Sequence, residues 1–597
     1  MLTGLKEVWE LDNFFPGGSK SEQLHKFLEE LQKDMDARVS EVQAWDIPQA
    51  GNESKELVTL LENMQQTIKK AREVSAFVSC LTAQDVSDKE ANLLRGRLTQ
   101  MNAGFQMASS TLEEKISKIA DSTWKVLLQD EKLAELAFVL EERRSKAKEK
   151  LPLEQESLIN DLSVDGYHAW GQLYNTLVGR MTIPFEENGE TKQLSVGQAQ
   201  NKLYDHDRNV RQVAFANWEK AWEEQEDLFS ETLNRLGGYR LNVYKHRGWD
   251  KVLKEPLEVN RMSEDTLATM WNVINDNKTT YVNYLNRKAE MLGVDKLGWT
   301  DIYAPVGSVD NKMSYDEGAN FIVKHFESFS PKMADFAKTA FTENWIEAED
   351  RAGKRPGGFC TSFPLAKESR IFMTYDGSAN SVSTLAHELG HAYHSHVIND
   401  LDEYNTHYAM NVAETASTFA EMIVSDAALK SVDSKEEKLA LLDDNIQRSI
   451  AFFMDIQSRF LFETRFYEER KNGLVSTNRL NELMVEAQKE AFNESLNEYH
   501  PHFWSSKLHF YITGVPFYNF PYTFGYLFSM GIYALALKEG KSFEDNYINL
   551  LRDTARMSVE DLAMKHLNVD LTKPDFWQGA LDVANEYVAQ FMELTDK

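Results

Sequence analysis

From about residue 20 to 180, apolar residues recur three and four positions apart, with dense charge between them and little glycine or proline. The segment LHKFLEELQKDMDARVSEVQAW (24–45) is representative. Such spacing puts the apolar side chains on one helical face, so this region predicts a stack of long helices. Breaks are expected near DIPQAGN (46–52) and KLPLEQ (150–155). No strict heptad persists over several turns, which argues against a coiled coil. The rhythm stops at MTIPFEENGETKQLSVGQAQ (181–200), where Asn188 and Gly189 mark a turn between two short extended pieces. That interruption divides the chain into an N-terminal helical lobe, 1–200, and a second domain, 201–597. At 597 residues, two or more lobes are expected in any case.

Helical periodicity returns from about 200 to 345, apart from LGWTDIYAPVG (297–307). It gives way to short strands and loops in RAGKRPGGFCTSF (351–363) and ESRIFMTYDGSANSVS (368–383). The remainder is helical except around FYITGVPFYNFPYTFGY (510–526). The fold class is mainly α, with a small β-sheet just before residue 384.

Residues 384–396, TLAHELGHAYHSH, follow that sheet. His387, Glu388 and His391 form H-E-x-x-H. On a helix the two histidines stand one turn apart on one face, about 6 Å along the axis, where both reach one metal ion. Glu388 lies beside them, placed to take a proton from a metal-activated water. An ordinary amphipathic helix with surface histidines is the bland alternative, but Ala386, Leu389, Gly390 and Ala392 suit a packed helix. His394 shares the face about 10 Å further along, too far to ligate the same ion, and is expected as a supporting or core group. His396 points elsewhere. The longer motif with a third histidine needs glycine at 394 and histidine at 397; the chain has His394 and Val397, which excludes that class.

A catalytic zinc usually takes a third protein ligand, commonly a carboxylate. MNVAETASTFAEMIVSDAALK (410–430) reads as a second helix in which Glu414 and Glu421 share a face among small residues. Burying an unpaired carboxylate is costly, so two acids there need partners. Glu414 as ligand, with Glu421 hydrogen-bonding a ligand histidine, satisfies both. Exposure of both acids to solvent is the alternative, and Glu403 is a weaker competitor for the third ligand. Gly357 and Gly358 would let a substrate peptide lie close along a sheet edge, although a simple turn explains them equally well. Cys360 has no base marked for it and is not read as a nucleophile.

Acids outnumber bases 94 to 65, for a net charge of -29, so the basic face that nucleic acid requires is missing. Cys80 and Cys360 are the only cysteines. Two thiols build no disulfide framework and suit a reducing compartment, so a cytoplasmic location is expected. The start MLTGLKEVWELDNFFPGG has no signal-peptide character, and no run is read as approaching the roughly 18 apolar residues of a membrane span.

TLAHELGHAYH, followed by NVAETASTFAE and preceded by GGFCTSF and SRIFMTYDGS, resembles the oligoendopeptidase F branch of the thimet-oligopeptidase-like zinc metallopeptidases. VWELDNFF near the start and HFYITGVPFYNFPYTFGY near the end are similar to that branch too. The resemblance covers most of the chain and is most specific between 351 and 425. It implies a two-lobed helical zincin-type metallopeptidase with a deep substrate channel, and cleavage of short peptides within their length. It matches His387 and His391 to the histidine ligands, Glu388 to the base and Glu414 to the glutamate ligand of one Zn2+ per chain. It also implies a C-terminal histidine and tyrosines that hold substrate and stabilise the oxyanion. His509, Tyr511, Tyr518, Tyr522 and Tyr526 are available for this, while core packing is the alternative for any one of the tyrosines.

Three functions are therefore weighed. The first is a zinc-dependent endopeptidase of short oligopeptides, in which Glu388 deprotonates a metal-activated water. The second keeps the site but acts as an exopeptidase, either a carboxypeptidase or a dipeptidyl carboxypeptidase. The third is a peptide-binding protein of the same fold without turnover. Partners are expected to be oligopeptides, with neither nucleic acid nor membrane involved. Oligomeric state is not legible, and other divalent ions also fit two histidines and a carboxylate.

Overall fold

The computed structural model describes residues 1–51, 53–187, 189–307 and 312–596. It is mainly helical with two small sheets. The chain forms two compact units, each drawn from three stretches. Unit 1 comprises Met1–Lys150, Asp310–Ala427 and Leu535–Asn568; unit 2 comprises Leu151–Val309, Ala428–Ala534 and Val569–Lys597.

This division differs from a single cut after residue 200. The turn chemistry near 189 does produce a hairpin, β1 (Thr182–Glu187) against antiparallel β2 (Glu190–Ser195). Gly189 takes φ +80°, as the turn demands, while Asn188 lies outside the described residues. The hairpin sits inside unit 2, with Ile183 and Phe185 buried and helix Arg208–Glu223 packed on β1. A local break in helical rhythm is thus a decoration of one unit, and the boundary falls at 150/151, near the predicted KLPLEQ break.

In unit 1 the expected long helices appear as Glu22–Ala44, Ser54–Gln84 and Lys89–Ser117. The first is capped by Ser21, whose side chain accepts from the Leu24 N–H at 3.3 Å. It buries Leu24, Leu28, Leu31, Met35 and Val42, the predicted three- and four-residue face. The core built on these helices reaches Phe363, Phe372 and Tyr404. Phe363 and Phe372 belong to a three-stranded sheet in the order β3 (Ile346–Glu347), β5 (Glu368–Phe372), β4 (Phe359–Phe363). β5 pairs parallel to β3 and antiparallel to β4, which leaves β4 at an edge. The sheet packs on the next helix, Ala379–Ile398.

Unit 2 is helical apart from the hairpin, with Glu264–Leu292 and Pro574–Thr595 packed together. Its interior holds a buried ion pair. Asp443 accepts from Lys288 Nζ at 3.3 Å, the Val306 N–H at 3.2 Å, Gln447 Nε2 at 2.5 Å and the Tyr284 hydroxyl. A second polar knot joins Glu219 to both His500 and His502, with His502 Nε2 also 2.9 Å from Glu226.

The sequence reading passed over one apolar stretch. Phe520–Asp553 contains a window long and apolar enough to cross a membrane, but 78% of that window is buried inside the protein, which makes it a core helix.

Candidate metal centre

Helix Ala379–Ile398 begins where Ser378 accepts the Ser381 N–H at 3.2 Å. Asp376 fastens the same turn, accepting the Ser378 N–H at 2.9 Å and the Ser381 hydroxyl. The helix buries Leu385, Ala386, Leu389 and Ala392, and directs His387 and His391 into a cavity of about 710 Å³. Their rings are 4.9 Å apart, edge to face.

The carboxylate comes from the second predicted helix, which divides at Glu414 into Met410–Ala413 and Thr415–Ser431. Gly390, with no side chain, lets the two helices come this close. A Cβ on Gly390 would stand 2.5 Å from both the Ala416 carbonyl oxygen and Ser417 Cα. Glu414 Oε2 consequently lies 3.2 Å from His387 Nε2 and 3.3 Å from His391 Nε2. Ligand atoms of the three residues all fall within 4.8 Å of one another. Ser417 donates to Glu414 Oε2 at 2.7 Å.

On the far side of His387, Nδ1 donates to Glu421 Oε2 at 3.1 Å, and Ser383 donates to Glu421 Oε1 at 3.0 Å. Burial would depress the His387 imidazolium, but Glu414 and Glu421 push it up to about 10. Burial would raise Glu414, yet hydrogen bonds from His387 and His391 outweigh it and hold the carboxyl well below its usual range. An excess of negative charge thus meets two imidazoles at one point. This donor set fits a borderline divalent cation.

Glu388 is 7% exposed, and its Oε2 has no hydrogen-bond partner among the described residues. Burial is the largest influence on its carboxyl and raises it, which favours proton acceptance nearer neutral pH. Gly358 explains how β4 comes so close: a Cβ there would lie 3.4 Å from Glu388 Oε1 and 3.3 Å from the Phe372 carbonyl oxygen. Gly357 has φ +90°, so its glycine answers a backbone need.

Other candidates sort by what they touch. His394 is fully buried and meets the Leu551 carbonyl and Thr554 hydroxyl at 3.2 and 3.0 Å, with its ring stacked on Tyr408. No hydrogen bond joins it to the histidine or glutamate cluster, so it is the core alternative that fits. Burial holds it down to about 3, keeping the ring neutral. His396 is exposed and packs on Phe336. Glu403, the rival third ligand, is instead 2.5 Å from Arg72 and 3.1 Å from His407. Arg72 sits on a helix more than three hundred residues away in sequence, and no local pattern signalled it. Cys360 lies on β4 with its thiol pushed up by burial, which leaves it a poor nucleophile.

His509, Tyr511, Tyr518 and Tyr522 all belong to unit 2. His509 and Tyr518 rings lie 5.4 Å apart, and the Tyr522 and Tyr518 hydroxyls 3.3 Å apart. Burial, helped by Arg459 and Lys507, lowers His509 to about 4, so near neutral pH it is an uncharged donor. Tyr511 is stacked on Tyr174 at 3.9 Å with its hydroxyl buried and without a hydrogen-bond partner among the described residues, which fits the packing alternative. Tyr526 is likewise buried, against Phe452 and the Ser449 hydroxyl.

A histidine pair and its glutamate on one helix, completed by a carboxylate from the next helix, define a zincin-type metallopeptidase in a mainly helical fold. The chain belongs to peptidase family M3: the profile of that family matches residues 202–583, and that of Oligopeptidase F matches 115–183. The chain is 24% identical to Oligopeptidase PepF of Bacillus subtilis, over 86% of this chain and 76% of the relative. It is 23% identical to the chromosomal Oligoendopeptidase F of Lactococcus lactis subsp. cremoris, over 99% and 97%. Among solved structures, a putative peptidase from Chlamydophila abortus superposes with a TM-score of 0.83 at 18% identity, covering 98% of each chain. Oligoendopeptidase-F from Enterococcus faecium gives 0.70 at 18% identity, covering 96% and 99%. The family makes the chain a metallo-endopeptidase that acts on oligopeptides.

Proposed function

We propose that the chain is a zinc-dependent endopeptidase that hydrolyses internal bonds of short oligopeptides, with His387, His391 and Glu414 holding one Zn2+ and Glu388 as general base. The observation that carries this reading is the convergence of those three side chains beside a buried glutamate oxygen that has no hydrogen-bond partner among the described residues. A bound zinc ion supplies Lewis acidity, which acidifies a water and polarises the scissile carbonyl. Glu388 takes a proton from the attacking water and returns it to the leaving nitrogen. Glu421 fixes the ring and tautomer of His387 through Nδ1, so that Nε2 faces the cavity. The assignment of oxyanion stabilisation to His509, Tyr518 or Tyr522 rests on the family resemblance. Each would lower turnover by ~100- to 1000-fold on loss of its donor.

The test uses an internally quenched peptide blocked at both ends. Cleavage that is lost on chelation and restored by zinc supports an endopeptidase, whereas cleavage only of unblocked peptides would replace it with an exopeptidase. Glu388→Gln should retain zinc and lose hydrolysis; undiminished turnover would reject Glu388 as the base.

A further inference from the structure

The cavity that holds His387, His391 and Glu414 also receives three cations, Lys69 and Arg72 from helix Ser54–Gln84 and Lys367 from the turn between β4 and β5. Apart from Glu388, the base beside the histidines, its carboxylates are already engaged. Glu368 lies 2.9 Å from Arg370, Glu403 is held by Arg72 and His407, and Glu414 faces the two histidines. Arg72 is held in place: Nη1 donates to Glu403 and the Thr406 hydroxyl, and Nη2 donates to Ser362 Oγ on β4 at 3.0 Å. Lys69, one turn earlier on the same helical face, is half-buried, and its ammonium has no hydrogen bond or ion pair among the described residues. The Lys367 ammonium is exposed and likewise has no ion-pair partner there. In a chain with 94 acids and 65 bases, two ammoniums in one cavity with no ion-pair partner among the described residues stand out; Asp400 acts on Lys367 only at longer range.

Their place along β4 gives them a meaning. Gly358, at one end of that edge strand, lies against Glu388, while Phe363 at the other end leads into the turn that carries Lys367. Five residues of strand separate these ends, a span of about 16 Å at strand rise. A peptide added along the open edge of β4, with its scissile bond at Glu388, would bring a group about five residues away to the cationic end.

We propose that Lys69 and Lys367, on the frame fixed by Arg72, form a carboxylate-binding subsite that selects peptides with a negative charge about five residues from the cleaved bond. The carboxylate is either the peptide's own C-terminus or an aspartate or glutamate side chain. This inference rests on the reading of the cavity as a peptide site.

The experiment measures binding of fluorescent peptides to zinc-loaded Glu388→Gln protein by anisotropy. Three forms of one sequence are compared: the free acid, its C-terminal amide, and an amide with a glutamate placed near the end. The free acid should bind about tenfold more tightly than the amide, as charge-assisted hydrogen bonds allow. The preference should shrink with added salt and collapse in a Lys69→Gln/Lys367→Gln background. Tight binding of the glutamate-bearing amide assigns the subsite to side chains as well; weak binding assigns it to the C-terminus. Equal affinity for all three forms overturns the subsite and leaves the peptidase reading standing. Failure of every form to bind overturns both. With wild-type protein, products of the free acid should place the cut about five residues from the charge, and cuts distributed without regard to it would also remove the subsite.

Discussion

Gly390 and Ala416 touch backbone to backbone: a single added carbon on Gly390 would sit 2.5 Å from the Ala416 carbonyl oxygen. That contact sets the spacing between the histidine helix and the strand of chain that carries Glu414. Gly390→Ala should force the two apart, at a cost of about 1–3 kcal/mol in stability. The sharper readout is metal content after dialysis, which should fall because Glu414 no longer reaches both histidines. Full retention of metal would mean that the helices tolerate the carbon.

Glu421 meets His387 at Nδ1 and is not one of the three residues of the ligand cluster. Glu421→Gln should therefore weaken zinc binding about 10- to 100-fold while leaving the helices folded. Competition with a chromophoric chelator measures it, and an unchanged affinity would show that the helix alone orients the ring.

Asp443 is paired with Lys288 at 3.3 Å, and both are buried. Asp443→Ala should destabilise the protein by about 3–5 kcal/mol, because it leaves an ammonium uncompensated. A further Lys288→Met change should recover much of that loss. Urea unfolding of the two variants checks the order; a double variant less stable than the single would count against this account.

The knot around Glu219 gives a pH signature. Burial opposes its charge, but His500 and His502 outweigh burial and bring the Glu219 carboxyl down to about 2. Its stabilisation is present above the ordinary 4.5 and is lost as pH falls towards 2. His502 is raised above the ordinary 6.5 by Glu219 and Glu226 despite burial, so its share is full below 6.5 and is lost as pH rises through the raised value. The stability difference between wild type and Glu219→Gln should thus be largest between 4.5 and 6.5. A difference that does not vary with pH between about 3 and about 9 would dissociate these histidines from Glu219.

The features legible in the sequence are those fixed by short-range geometry. The spacing of His387, Glu388 and His391 follows from one helical turn, and that of Glu414 and Glu421 from two. What decided the other cases came from far along the chain. Glu403 is removed from contention by Arg72, and His394 is claimed by Leu551 and Thr554. Gly390 read as one more small residue, because its value lies in a neighbour, not in its own helix. The unit boundary was displaced for the same reason: a hairpin is a local event, whereas a compact unit is defined by which distant segments meet.

That last point bears on when the protein first becomes able to cut peptides. His387, Glu388, His391 and Glu414 are all in place in the nascent chain by residue 414, yet the helix that bears the histidines is braced through His394 by Leu551 and Thr554. Unit 1 draws its final segment from Leu535–Asn568. A ribosome must therefore release residue 568 before that unit can close, and domains generally fold as units during synthesis. The order of the segments makes closure of the unit that holds His387, His391 and Glu414 wait for Leu535–Asn568, long after those three residues have been made.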